Sequence, residues 1–165
     1  MFVNMKSAFR LSILILTWIV CACAQAQDRG QIPLVNDFTL EAKTAQAREV
    51  PILVMFGRRG CPFCDQVLKE FLQPMQRNAE YDAKVIMRQI DAGSSAKLRD
   101  FSGKLTSHAR FAAENKIKLV PTIKLFNAEG KELTEPLVGL STPDYYGGFL
   151  DQRIDEALAK VRAAK

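Results

Sequence analysis

Two cysteines stand two residues apart in the run "GRRGCPFCD", at Cys61 and Cys64, with Arg58 and Arg59 just upstream. A pair at this spacing can ligate zinc, form a structural disulfide, or exchange electrons with other thiols. A structural zinc site takes four ligands. Outside the first thirty residues the chain offers Cys61, Cys64 and its one histidine, His108. That count weighs against a metal, and no metal is expected. A disulfide that closes so short a loop stabilises little. A chain of 165 residues can bury a core without such a staple. Redox exchange fits the local sequence best. A helix starting near Cys61 would place that sulfur among unpaired backbone N–H groups, at the positive end of the macrodipole, where a thiolate is favoured. Pro62 suits the first helical turn because its missing N–H costs nothing there. Cys64 then lies one turn inside, beside the apolar face begun by Val67 and Leu68. Cys61 is thus the expected attacking thiol and Cys64 the resolving one. Arg58 and Arg59 are candidates for lowering the thiol pKa, or are simply charged loop residues.

Several elements must hold this pair in place. "ILVMF", residues 52 to 56, is a short apolar run rich in β-formers and reads as a buried central strand. It feeds directly into the cysteines. Val67, Leu68, Phe71, Leu72 and Met75 recur at helical spacing after them. Pro74 falls inside that pattern and is expected to kink or end the helix. Upstream, Asp37 is a candidate N-cap for a helix carrying Phe38, Ala42 and Ala45 on one face, closed by Pro51. "KVIMRQID", 84 to 91, reads as a second strand, and 92 to 105 as a loop. Thr106 or Ser107 can cap a helix through Asn115, which makes His108 an ordinary surface histidine near a helix start. "LVPTIKLF", 119 to 126, is a strand with Pro121 near its beginning, and "NAEGK" a hairpin turn with Gly130. The return strand, 132 to 139, contains Pro136 and belongs at a sheet edge. Ser141 or Thr142 caps a last helix with the stripe Leu150, Ile154, Ala157, Leu158 and Val161. In "STPDYYGGFL", Tyr145 and Tyr146 could present a partner surface or cover the end of the core. The expected order is α, β, α, β, α, β, β, α: an α/β fold with a mixed central sheet of about four strands and helices on both faces.

The first residues read as targeting. Lys6 and Arg10 precede the apolar run "LSILILTWIVCACA", and Ala24-Gln25-Ala26 fits a small-x-small cleavage site. A cleaved signal peptide over residues 1–26 is expected, with one domain over 27–165. The apolar run is shorter than a bilayer span requires. A lipid acceptor at Cys23 is a lesser alternative. Cleavage would remove Cys21 and Cys23 and leave Cys61 and Cys64 in a compartment where disulfides persist, such as a bacterial periplasm. Composition is that of an ordinary globular chain, with 48% apolar and 25% charged residues. The net charge of +5 is mild and scattered, so no nucleic-acid partner is expected.

"ILVMFGRRGCPFC", the later "VPT" and "KLFNAEGKEL" together resemble the thioredoxin-like superfamily, over about Asp37 to Ala159. Exported bacterial members are the nearest in style, including the type associated with sulfur-oxidation systems. The resemblance implies a cis peptide bond before Pro121, with Pro121 beside the cysteines. It also implies that the Val120 backbone pairs with an extended substrate segment. Pro62 and Phe63 would complete the substrate contacts. Typical members carry a buried acid six positions before the first cysteine, where this chain has Met55. They carry tryptophan at the position of Gly60, and often lysine at that of Asp65. The Pro62-Phe63 dipeptide is closer to glutaredoxins, but no glutathione-binding pattern accompanies it. The implied activity is thiol–disulfide exchange without a cofactor, by a monomer acting on disulfide-containing or dithiol periplasmic proteins. A reductase fed by a membrane-embedded thiol donor is favoured over a disulfide oxidase or isomerase. A thioredoxin-fold binding or chaperone module without turnover is the alternative from another class.

Overall fold

A computed structural model describes residues 30–164. The expected signal peptide and Cys23 lie outside the described residues. Helix α1 spans Phe38–Arg48, with Asp37 as N-cap accepting the Thr39 N–H at 2.8 Å. It ends before Pro51, at Glu49 in the left-handed region. Strand β1, Ile52–Gly57, is buried throughout. The segment after the cysteines is helical in pieces: α2 at Pro62–Gln66, a π-helical stretch at Val67–Leu72, α3 at Gln73–Arg77 and α4 at Ala79–Asp82. Strand β2 (Ile86–Asp91) and the short β3 (Lys97–Arg99) and β4 (Leu105–Ser107) follow. Then come α5 (His108–Glu114), β5 (Thr122–Phe126), β6 (Leu137–Val138) and α6 (Pro143–Ala163).

The main sheet has the order β2-β1-β5-β6. β1 pairs parallel with β2 and antiparallel with β5, and β6 pairs antiparallel with β5 at the edge. The expected mixed four-stranded sheet is present. Alternation along β1 divides the core. Leu53 and Met55 face a layer built from Cys64, Val67, Leu72, Tyr146, Leu150 and Ile154. Ile52, Val54 and Phe56 face the other layer, with Phe38, Phe111 and Phe126. Helices therefore cover both faces, and β1 is the fully buried strand between them.

Four details depart from the sequence reading. The stretch 92 to 105 is not all loop, because β3 pairs with β4 in a separate two-stranded sheet. The strand after Pro121 begins only at Thr122. The return strand shrinks to Leu137–Val138 plus a bridge between Phe126 and Glu132. Pro136 lacks the N–H that a longer ladder would need. Finally, Pro74 does not end the helical run. The turn before it widens instead, with the Gln73 N–H reaching back five residues to the Leu68 carbonyl. A π-type turn of this kind relieves the clash between a proline ring and the carbonyl four residues earlier.

Candidate active site

Strand β1 stops at Gly57, whose carbonyl accepts the Ala92 N–H at 2.8 Å across the end of β2. The chain then turns sharply. Cys61 N–H donates to the Arg58 carbonyl at 3.3 Å, and Gly60 takes φ +73° to make the bend. Cys61 is the N-cap of α2, and Pro62 occupies its first turn. The Cys61 Sγ accepts the Cys64 N–H at 3.2 Å. Cys61 and Cys64 are joined as a disulfide, with their Cα atoms 5.2 Å apart. Cys61 is half-buried, whereas Cys64 is 2% exposed and belongs to the core layer under α2. Phe63 projects outward with 60% of its surface exposed.

The Val120–Pro121 peptide bond is cis. Pro121 is buried, and Val120 packs with Cys61 against the same core layer. Leu119 beside it is 55% exposed, and Arg58, Leu119 and Val120 line one shallow groove. A second cleft, about 550 Å³, opens on the Cys64 side. Met55, Cys64, Arg58, Arg59, Asp91 and His108 contribute to its walls, together with the arm at Gln31–Leu34. That arm is tied down by Gln89, whose Nε2 donates to the Ile32 carbonyl.

Arg59 reaches the Asp91 carboxylate at 3.3 Å while 90% of its side chain remains exposed. Arg58 lies over Gly93. Asp65 is exposed at the start of α2. Met55 is fully buried, and its Cε and the Cys64 Sγ flank the same bare face of Gly57, at 3.5 and 3.7 Å from where a Cβ would sit. A thioether thus occupies the place where an acid would stand in a typical relative. Among the described residues, no three His, Cys, Asp or Glu side chains gather as a metal site.

His108 is not the surface residue expected. It is 2% exposed. Ser107 caps α5, which puts His108 in the first turn with Phe111 and Ala112 at i+3 and i+4 on the same buried face. That spacing was readable from the sequence. Its Nδ1 accepts the Asp91 N–H at 3.3 Å, and burial holds its pKa below the ordinary histidine value, against the opposing pull of Asp91. The aromatic pair in the last helix divides: Tyr146 is buried against Phe71 and Tyr145 is exposed.

A family model described as a thioredoxin-like domain matches residues 38–154. The chain belongs to this thioredoxin-like family. A search of curated proteins found no match. Among solved structures, a poplar thioredoxin h matches with 19% identity and a TM-score of 0.50, over 71% of this chain and 94% of its own. A Malassezia sympodialis thioredoxin matches with 16% identity and a TM-score of 0.53, over 79% and 93%. A DsbH oxidoreductase matches with 16% identity and a TM-score of 0.52, over 81% and 92%. These likenesses are likenesses of fold. With a thioredoxin-like domain that presents a helix-capping CxxC pair, the protein is a thiol–disulfide oxidoreductase.

Proposed function

We propose that the protein reduces disulfides of periplasmic proteins, with Cys61 as the attacking thiol and Cys64 as the resolving thiol. The observation that carries the assignment of roles is the asymmetry of the pair: Cys61 caps α2 and is half-exposed, while Cys64 is buried behind it. In the reduced protein the Cys61 thiolate attacks a substrate disulfide, one substrate sulfur leaves as a thiolate, and a mixed disulfide remains. Cys64 loses its proton to solvent and attacks the Cys61 Sγ. The second substrate sulfur departs with the electron pair and takes a proton from water. The substrate ends reduced by two electrons and the enzyme ends as the disulfide. No cofactor takes part. Phe63, Pro62 and Leu119 offer apolar contact for an extended substrate segment, and the Val120 backbone, ahead of Pro121, offers a pairing edge.

The reductase direction is supported by Arg59. Arg59 is engaged with Asp91, so its charge is partly offset before it can favour a Cys61 thiolate. A less stabilised thiolate means a lower reduction potential, within a range of roughly −270 to −120 mV for CxxC proteins. Export to a periplasm rests on the leader-like sequence before residue 27, and a membrane-embedded thiol donor would keep such a monomeric reductase supplied with electrons.

Insulin reduction by the full chain tests the activity. Turnover should be lost in Cys61→Ser, and Cys64→Ser should accumulate a mixed disulfide on Cys61. Activity retained in Cys61→Ser would sink the assignment, and binding without turnover by the wild type would make the protein a binding module. Equilibration with glutathione tests the direction, and a potential near the oxidising end would make it an oxidase.

A further inference from the structure

Cys64 is 2% exposed and must shed a proton in every cycle, so something in its surroundings has to make a buried thiolate tolerable. Strand β1 supplies no polar group for this, since Leu53, Val54, Met55 and Phe56 are all apolar and fully buried. The charged and titratable groups that border the cleft on the Cys64 side are Arg58, Arg59, Asp65, Asp91 and His108. Arg59 and Asp91 pair with each other, and Asp91 also accepts the Gly93 N–H at 3.1 Å. Arg58 and Asp65 are exposed. His108 alone among the five is buried within the protein while forming part of the cleft wall with Cys64.

The ring of His108 is fixed. Its own backbone N–H donates to the Ala96 carbonyl at 3.1 Å, and the Ala109 N–H donates to the Ser94 carbonyl at 2.9 Å. Those bonds pin the start of α5 to the loop that follows β2. The Asp91 N–H is a donor, so the Nδ1 it points at carries no proton, and the neutral ring holds its proton on Nε2. Nε2–H has no hydrogen-bond partner among the described residues. His108 borders the cleft of about 550 Å³, which is wide enough to hold water that such a donor can engage.

The tautomer decides what the ring can do. With Nδ1 engaged and Nε2 already protonated, His108 cannot take the proton from Cys64. It can only donate a hydrogen bond. We propose that His108 is a positioning residue for the resolving step, its Nε2–H stabilising the Cys64 thiolate through a water held in the cleft beside Met55. This rests on the exchange reading above. Cys64 passes its proton to solvent, its Sγ attacks the Cys61 Sγ, and the substrate sulfur leaves with the electron pair. His108 gains and loses nothing. Where a carboxylate would accept the proton, this chain has an apolar thioether and a fixed donor, which assists the thiolate itself.

The test uses the full chain carrying Cys21→Ser, Cys23→Ser and Cys61→Ser, so that Cys64 is the one thiol that titrates. Thiolate absorbance and alkylation rate are followed against pH. His108→Asn keeps an acceptor where Nδ1 stood and removes the Nε2 donor. Hydrogen bonds to charged groups are strong enough that the Cys64 acid dissociation constant should fall about tenfold. His108→Gln restores an amide at the place of Nε2 and should recover most of the loss. The proposal is overturned if Asn leaves the titration unchanged, or if Asn and Gln shift it equally, as a merely structural role would. If either variant fails to fold, histidine nitrogen resonances of the chain with His108 intact decide instead. The Nε2–H tautomer is expected, with the Nε2 signal moving as Cys64 titrates. A proton on Nδ1, or an Nε2 signal indifferent to Cys64, overturns the proposal. Insulin turnover by the wild type is measured alongside. Its absence would remove the exchange reading while the titration still reported on His108.

Discussion

Gly60 and Gly130 form a matched pair that separates backbone strain from packing. Both take left-handed backbone, at φ +73° and +78°. A Cβ on Gly60 would meet nothing within 4 Å, whereas one on Gly130 would lie 2.7 Å from the Phe101 Cγ and 2.8 Å from its Cβ. Phe101 has little room to retreat, because it stacks on Phe38 at 4.3 Å and packs against Phe126 at 5.5 Å. Alanine in left-handed backbone costs about 1 kcal/mol. Gly60→Ala should lose about that and no more. Gly130→Ala adds an overpacking cost of about 2 kcal/mol, for a total of about 3 kcal/mol. With a urea slope of about 2 kcal/mol per molar, the midpoint should fall by about 0.5 M for Gly60→Ala and about 1.5 M for Gly130→Ala. Urea unfolding of the oxidised proteins, followed by circular dichroism, reads both numbers. Equal losses in the two variants would show that the Phe101 contact costs nothing, since both glycines have left-handed φ and differ in what a Cβ would meet. Gly60→Ala should also keep its insulin-reducing activity, because the added methyl group touches nothing at the bend before Cys61.

Phe63→Ser should leave stability within about 0.5 kcal/mol, as expected at an exposed position, and should raise KM for a protein disulfide more than for a small one; equal KM values for wild type and variant would remove Phe63 from the docking surface. The Tyr146 hydroxyl is buried without a hydrogen-bond partner, and burial pushes its pKa up to about 12. Tyr146→Phe should therefore raise the unfolding free energy by about 1 kcal/mol, and a loss of that size would show that the hydroxyl is satisfied in solution. His108 titrates below the ordinary value of 6.5 when folded, so between its folded value and 6.5 the unfolded chain holds more protons. Stability should fall as pH drops through that window and level off above it. His108→Asn should flatten the slope there, and an unchanged slope would locate the dependence elsewhere.

What was legible in the sequence follows from signal length. The apolar run of β1 and the proline after Cys61 together marked a strand-to-helix corner, and the corner stands where they put it. The closing helix carried a five-residue stripe, of which Leu150, Ile154, Ala157 and Leu158 are buried. Strand β3 offered far less. It has three residues with only Leu98 turned inward, too few for a period of two to register. The strand returning from β5 failed for a local reason: Pro136 and the bend at Thr134 interrupt it, leaving the Glu132 bridge to Phe126 on one side and the pairs at Leu137 and Val138 on the other. His108 stands next to the capping residue Ser107, a position that is usually exposed, and its burial follows from the apolar face it shares with Phe111 and Ala112. The π-helical stretch could not be read at all, because Pro74 permits a kink, a break or a wider turn alike.

The hydrogen bond from the Cys64 N–H to the Cys61 sulfur ties the chemistry to the helix that hosts it. In most helices the capping atom is inert, but here it is one of the two sulfurs of the redox pair. By thermodynamic reciprocity, whatever the first turn of α2 contributes to the Cys61 thiolate, the thiolate returns to α2. The amide of Cys64 is then a gauge of oxidation state. Its exchange with solvent deuterium should be slowest when Cys61 is a free thiolate, the strongest acceptor of the states it visits, and faster when the sulfur is shared with a partner. A single backbone proton would report where the enzyme stands in its cycle without a label on either sulfur.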